Sequence, residues 1–374
     1  MESNLLYGLI FAGVIQGLIL SIFILFTKHK TRASKFLGLL ILFTTLTILQ
    51  DITWEIGLVN GLEYYLIFLP YPYACAGLQY FFVMTFLYPN RKNTSTEKSL
   101  FLPFYIILVV ILISKLCYLI LDINHPIIED VNTIINTIDR YGDLLNVALV
   151  TIVLIMLWKS LKKYHEEPDS YHSGIFKSKL SWLKTLLILQ FIFIVFWGYS
   201  ATQFALTDNF DYSSDLLLVA TSVLIYIMGY IGTQKIRVQE ERKQIRLLNF
   251  SEQDYPISNG TKNKHIFTLE EILIKERKFL DQTITLSKLA EELQLSKSHL
   301  SRIINSELNM SFSEYVNSLR VNEAKKLIIN PAFSKYTLVS IGLEAGFNSK
   351  TTFNNTFKKL TGQTPSQFRR NPSN

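Results

Sequence analysis

The chain has 374 residues, 49% of them hydrophobic, and a mean hydropathy of +0.24, too apolar for an ordinary soluble protein of this size. A formal charge of +7 and a pI near 9.1 suit nucleic acid or an anionic membrane face and do not separate the two. The two cysteines, Cys75 and Cys117, lie in apolar stretches without CxxC or Cys/His spacing, so buried free thiols are expected rather than a disulfide framework or a metal site.

From the N-terminus, seven apolar stretches are long enough to cross about 30 Å of hydrocarbon. They are 5–26, 36–56, 62–88, 100–121, 138–158, 183–205 and 215–233. The first has no basic segment ahead of it, so it is expected to span the membrane rather than to be a cleaved signal peptide. Each stretch must be helical, because lipid offers no partner to backbone N–H and C=O groups. Pro70 and Pro72 should kink the third.

The loops alternate in charge. Loops one, three and five hold 12 Lys and Arg, whereas the others hold only Arg140 beside several carboxylates such as Asp122, Glu129 and Asp208. Basic residues stay on the cytoplasmic side, so the N-terminus is expected outside and everything after Thr233 in the cytoplasm.

Within the spans, charged and amide side chains are costly and therefore informative. Asp51, Glu55, Lys115, Asp143, Asn146 and Gln203 all fall in the outer halves, at a depth shared with Trp54 and Trp197. Two readings stand. The polar groups reach out to the interface above an aromatic belt, or they form a pocket for a small-molecule or membrane signal. In the second, Asp51, Glu55, Lys115, Asp143 and Gln203 are the sensing residues, with opposite charges paired at matched depth.

The segment 235–248 reads as a charged helix continuing the last span. Ile231, Val238 and Ile245 recur every seven residues, which fits a short coiled coil; a helix solvated on the anionic inner leaflet fits as well. From 251 to 264 the chain is polar, with Pro256 and Gly260, and reads as a flexible linker. His165 and His172 match no metal geometry and are read as loop residues.

Beyond about Phe267 short amphipathic helices take over, and they repeat. Leu286, Leu289, Ala290, Leu293 and Leu295 recur 52 residues later as Leu338, Ile341, Gly342, Ala345 and Phe347. The offset then grows by one, pairing Ser296, Leu300 and Ile304 with Ser349, Phe353 and Phe357. Each copy reads as helix, tight turn, helix. Gly346 suits a left-handed turn, where the first copy has Gln294; Ser296 and Ser349 suit N-caps. A long helix over 313–330, stopped by Pro331, joins the copies and would hold two reading helices over successive major-groove segments.

The stretches SKSHLSRIIN, FSEYVNSLRVNEAKKLI and GFNSKTTFNNTFKKLTGQTPSQF, in that order, resemble the AraC/XylS family of bacterial transcription regulators over about 267–370. The first half is similar to that of membrane-anchored members, which place such a reader behind a multi-span domain. The resemblance implies that the second helix of each unit enters the major groove, and it points to Lys297, Ser298, Ser301 and Arg302 in one and to Lys350, Thr351, Asn354 and Asn355 in the other. At Asn355 many members carry arginine, so Lys358 is expected to contribute through the phosphate backbone. With 15 Lys and Arg against 10 Asp and Glu over 267–370, one copy is only mildly basic, and a homodimer would supply the missing contacts.

The expected architecture is thus all-α: a seven-helix transmembrane sensor domain over 1–233, a juxtamembrane helix and linker over 234–265, and a DNA-binding domain over 266–374. The expected partners are double-stranded promoter DNA, the lipid bilayer, a second copy of the chain and an unknown signal. Neither a cofactor nor a metal is expected. With no nucleophile–base pair or phosphate-binding loop, a membrane-bound regulator is expected rather than an enzyme. The alternative is a transporter or intramembrane enzyme with a fused DNA-binding reporter domain.

Overall fold

The computed structural model describes residues 2–26, 31–58, 67–89, 91–121, 125–166, 180–207, 213–249 and 264–372. Every regular element among them is helical. The described residues through Ile236 form one compact unit and those from Arg237 a second. The proposed linker at 251–264 falls almost wholly outside the described residues, as do His172 and the side chains of Glu55 and His165.

The first unit contains α1 (Glu2–Phe26), α2 (Arg32–Glu55), α3 (Pro72–Leu87), α4 (Ser95–Lys98), α5 (Leu102–Ile120), α6 (Pro126–Glu166), α7 (Ser181–Thr207) and the start of α8 (Ser213–Asn249). Among the described residues six helices are long and apolar enough to cross a membrane, where seven spans were expected. The difference lies in the third stretch. Residues 59–66 are outside the described residues, and α3 itself has 16 residues, about 24 Å at 1.5 Å per residue. Pro72 opens this helix instead of kinking it, because a first-turn proline lacks only an N–H that would have no helical partner. Fourteen of its residues are buried, so α3 is enclosed by its neighbours.

Small residues set the spacing between helices: Gly17 lies under Thr45 of α2, and Gly229 of α8 under Leu20, where a Cβ would collide in both cases. The core is formed by Leu37, Ile41, Ile48 and Ile52 of α2 against Phe81 and Phe82 of α3. The outer faces are equally apolar. Ile19, Phe23, Leu116, Phe191 and Phe196 are each more than half exposed, far more apolar surface than a water-soluble unit leaves open. At one end, the Arg32 guanidinium donates to the Arg91 carbonyl at 3.0 Å, and Arg91 pairs with Glu97 at 2.6 Å. The first and third loops, both basic, therefore lie at the same end of the bundle.

The second unit contains the end of α8, α9 (Lys264–Glu270) running into a π-helical turn, then α10 (Leu286–Glu292), α11 (Lys297–Leu308), α12 (Phe312–Ile329), α13 (Leu338–Glu344), α14 (Lys350–Thr361) and α15 (Pro365–Arg370). Its two cores match the two sequence copies. Leu289, Leu300 and Ile304 centre one; Ile341, Phe353 and Phe357 centre the other. The connecting helix α12 contributes Tyr315, Val316 and Leu319 to the first and Ala324, Leu327 and Ile328 to the second.

Candidate functional site

Local chemistry fixes the two helix-turn-helix units. Thr285 and Thr337 cap their first helices, and Ser296 and Ser349 their second, each side chain accepting a backbone N–H three residues on. The turns pass through left-handed residues, Gln294 at φ 54° and Gly346 at φ 94°. Glycine is needed at Gly346 on two counts, since a Cβ there would also lie 2.8 Å from the Phe279 carbonyl. Asn309 and Gly362, again left-handed, end α11 and α14.

Both second helices bury one side and leave the other open. On α11, Leu300, Ile303 and Ile304 are buried, while Lys297, Ser298 and Arg302 are exposed and Ser301 is half-buried. On α14, Phe353 and Phe357 are buried; Lys350, Thr351, Asn355 and Lys358 are exposed and Asn354 is half-buried. A face of cationic and amide groups with its backing fixed in a core can enter a groove without rearranging.

Between the units, α12 is held by groups that its sequence pattern did not reveal. Arg320 donates from Nε to the Phe279 carbonyl and from Nη2 to the Asp281 carbonyl, both at 2.7 Å. Burial pushes its guanidinium down to about 10. Glu323, 1% exposed, pairs with Arg277. These contacts lock the turn ahead of α10 onto the connecting helix and so fix the first unit upon it.

A second feature escaped the sequence reading. The end of α8 packs on α13 within this same unit. Glu241 accepts from the Thr337 N–H at 2.9 Å, and from the Thr337 and Ser340 hydroxyls at 2.7 Å each. Arg242 pairs with Glu344 at 2.5 Å, both nearly buried, and Ile245 is 1% exposed in the second core. Ile245 therefore occupies neither a coiled-coil seam nor a solvated face. Its only sequence signal is that Glu241, Arg242 and Ile245 share one side of a helix.

In the first unit, Asp51, Asp143, Asn146 and Gln203 line one cavity of about 370 Å³ together with Trp54 and Trp197. Lys115 does not join them. It lines a small neighbouring cavity, its ammonium 2.6 Å from the Phe68 carbonyl. That carbonyl lies ahead of α3, outside any helix, and so has no helical N–H to accept. The expected pairing of Lys115 with a carboxylate is thus replaced by a backbone contact. Asp139, not singled out from the sequence, lines both cavities. Among the described residues no group of three or more His, Cys, Asp or Glu side chains could hold a metal ion.

The comparisons concern the second unit. Residues 289–371 match a family described as "Helix-turn-helix domain". An HTH-type transcriptional regulator of Staphylococcus aureus (strain MSSA476), itself uncharacterized, is 35% identical over 88 residues, 24% of this chain and 11% of that one. The Msm operon regulatory protein of Streptococcus mutans is 26% identical over 117 residues, 31% of this chain and 40% of that protein. The match therefore spans about a tenth of the staphylococcal relative's length. Among solved structures, the C-terminal domain of AraT, a response regulator from Geobacillus stearothermophilus, is 27% identical, with 30% of this chain and 88% of that one covered and a TM-score of 0.27. The C-terminal part of this chain, over 289–371, is a helix-turn-helix domain.

Proposed function

We propose that the protein is a membrane-bound one-component transcription regulator of the AraC type, in which the first unit senses a signal and the second binds promoter DNA. One observation carries the reading: two capped helix-turn-helix units with open polar faces share a chain with a helical bundle whose outer faces are apolar. The kinship of the second unit to proteins named as transcriptional regulators supports the DNA-binding half and favours a regulator over an enzyme. Lys297, Ser298, Ser301, Arg302, Lys350, Thr351, Asn354 and Asn355 are the proposed groove contacts, and Lys358 a phosphate contact. The loop charges favour an N-terminus outside and a cytoplasmic DNA-binding unit. A dimer would give the affinity that one mildly basic copy lacks.

The test has two arms. A reporter enzyme active only in the cytoplasm is expected to work when fused after Thr233 and to fail after Asn209; the reverse pattern overturns the topology. Genome-wide mapping of bound sites is expected to give discrete promoters, lost when Arg302 and Asn354 are replaced by alanine. Uniform occupancy that survives these changes overturns the reading of sequence-specific control.

A further inference from the structure

The cavity of the first unit has a chemical bias. Among the described residues its wall carries three carboxylates, Asp51 of α2 and Asp139 and Asp143 of α6, and no lysine, arginine or histidine. The one nearby ammonium, on Lys115, is committed to the Phe68 carbonyl. Neither Asp139 nor Asp143 pairs with a basic side chain among the described residues. Asp143 lines this space together with the Trp197 indole. Carboxylates without a cation are expensive in so apolar a surrounding, and an incoming positive charge offsets that cost.

Two further observations point to a ligand rather than to a polar lining. Asn146, on the cavity wall, is 3% exposed and has no hydrogen-bond partner among the described residues, so its amide is open to a group inside. By contrast, Gln79 and Gln190 on the same wall satisfy each other at 2.6 and 2.9 Å. The rest of the wall includes the rings of Tyr73, Phe193 and Trp197, surfaces on which an organic cation rests favourably. A volume of about 370 Å³ suits a small organic molecule. The carboxylates do not converge as metal ligands would.

We propose that this cavity binds an organic cation, an amine or ammonium group on an apolar body, with Asp139 and Asp143 meeting the charge and Asn146 a polar group beside it. Naming this cation as the signal rests on the sensor reading; its binding does not.

The full chain in lipid nanodiscs is titrated with phenyltrimethylammonium and 2-phenylethylammonium, and with tert-butylbenzene as the uncharged match of the first. Tryptophan fluorescence reports binding, since two of the four tryptophans line the cavity. At least one cation is expected to bind saturably and the neutral molecule not to. Asp143→Asn and Asp139→Asn should each weaken cation binding about tenfold or more, whereas Lys115→Gln should leave it unchanged. Each variant is first shown to retain the melting temperature and DNA binding of the parent, and either Asp variant suffices if the other fails to insert. Failure of both cations to saturate, equal binding of tert-butylbenzene, or indifference to the Asp changes overturns the proposal while leaving DNA binding and topology untouched. Saturable cation binding that never alters promoter occupancy supports the site and overturns the sensor reading.

Discussion

Arg242→Ala is expected to destabilise the second unit by about 3–5 kcal/mol, as breaking a buried ion pair on one side does. Arg242 and Glu344 are 5% and 8% exposed as residues and lie 2.5 Å apart, so the carboxylate left behind has little water to turn to. Its remaining basic neighbour, Arg246, is 3.7 Å away. The cost comes from the stranded charge, not from a large attraction between the pair. The double change Arg242→Met with Glu344→Leu should therefore recover part of the loss, because it removes the stranded carboxylate while Arg246 gives up its ion pair. Urea unfolding of a 237–374 fragment measures both. A loss below about 1 kcal/mol for the single change would mean that the pair behaves as a solvated one.

Arg302→Ala is expected to weaken binding to the operator far more than to random DNA and to relax the preference at one base position. Arg302 is exposed on α11, while its neighbours Leu300, Ile303 and Ile304 are buried, so the helix cannot roll to hide it. A guanidinium there can meet guanine O6 and N7 together, a contact worth about 1–3 kcal/mol of discrimination. Lys358→Ala should instead weaken all sequences alike and reduce the salt slope by about one. Binding isotherms on operator and random duplexes at several salt concentrations separate the two. An equal loss on both for Arg302→Ala makes it a phosphate contact and moves the reading face elsewhere.

What the sequence disclosed was local. Ser296, Ser349, Gly346 and Gly362 announce their roles because a cap or a left-handed turn is set within three or four residues. The apolar repeat likewise places Leu300 and Phe353 in their cores, since helical periodicity alone decides which side is covered. Pro72 was harder. A proline that kinks a helix and one that opens it look alike until the start of the helix is known, and here α3 begins at that residue. Lys115 took a carbonyl rather than a carboxylate, and that partner lies 47 positions away, where no local pattern points to it. The link from Arg242 to Glu344 crosses 102 positions, and no periodicity encodes which distant helix a charge will meet. The gathering of Asp51, Asp143 and Gln203 around one space was legible only as a shared depth; that they face one another depends on how α2, α6 and α7 are rotated.

The docking of Glu241, Arg242 and Ile245 on α13 bears on how such a protein can be recombined. A gene fusion that grafts this reader onto a foreign bundle at the polar stretch 251–264 would discard the carboxylate that caps Thr337 and the arginine that answers Glu344, and it would open the core at Ile245. A fusion made about four turns earlier, between Ile236 and Arg237, carries all three along. The point of exchange that keeps the reader whole therefore lies inside a helix, not in the loop that looks made for cutting.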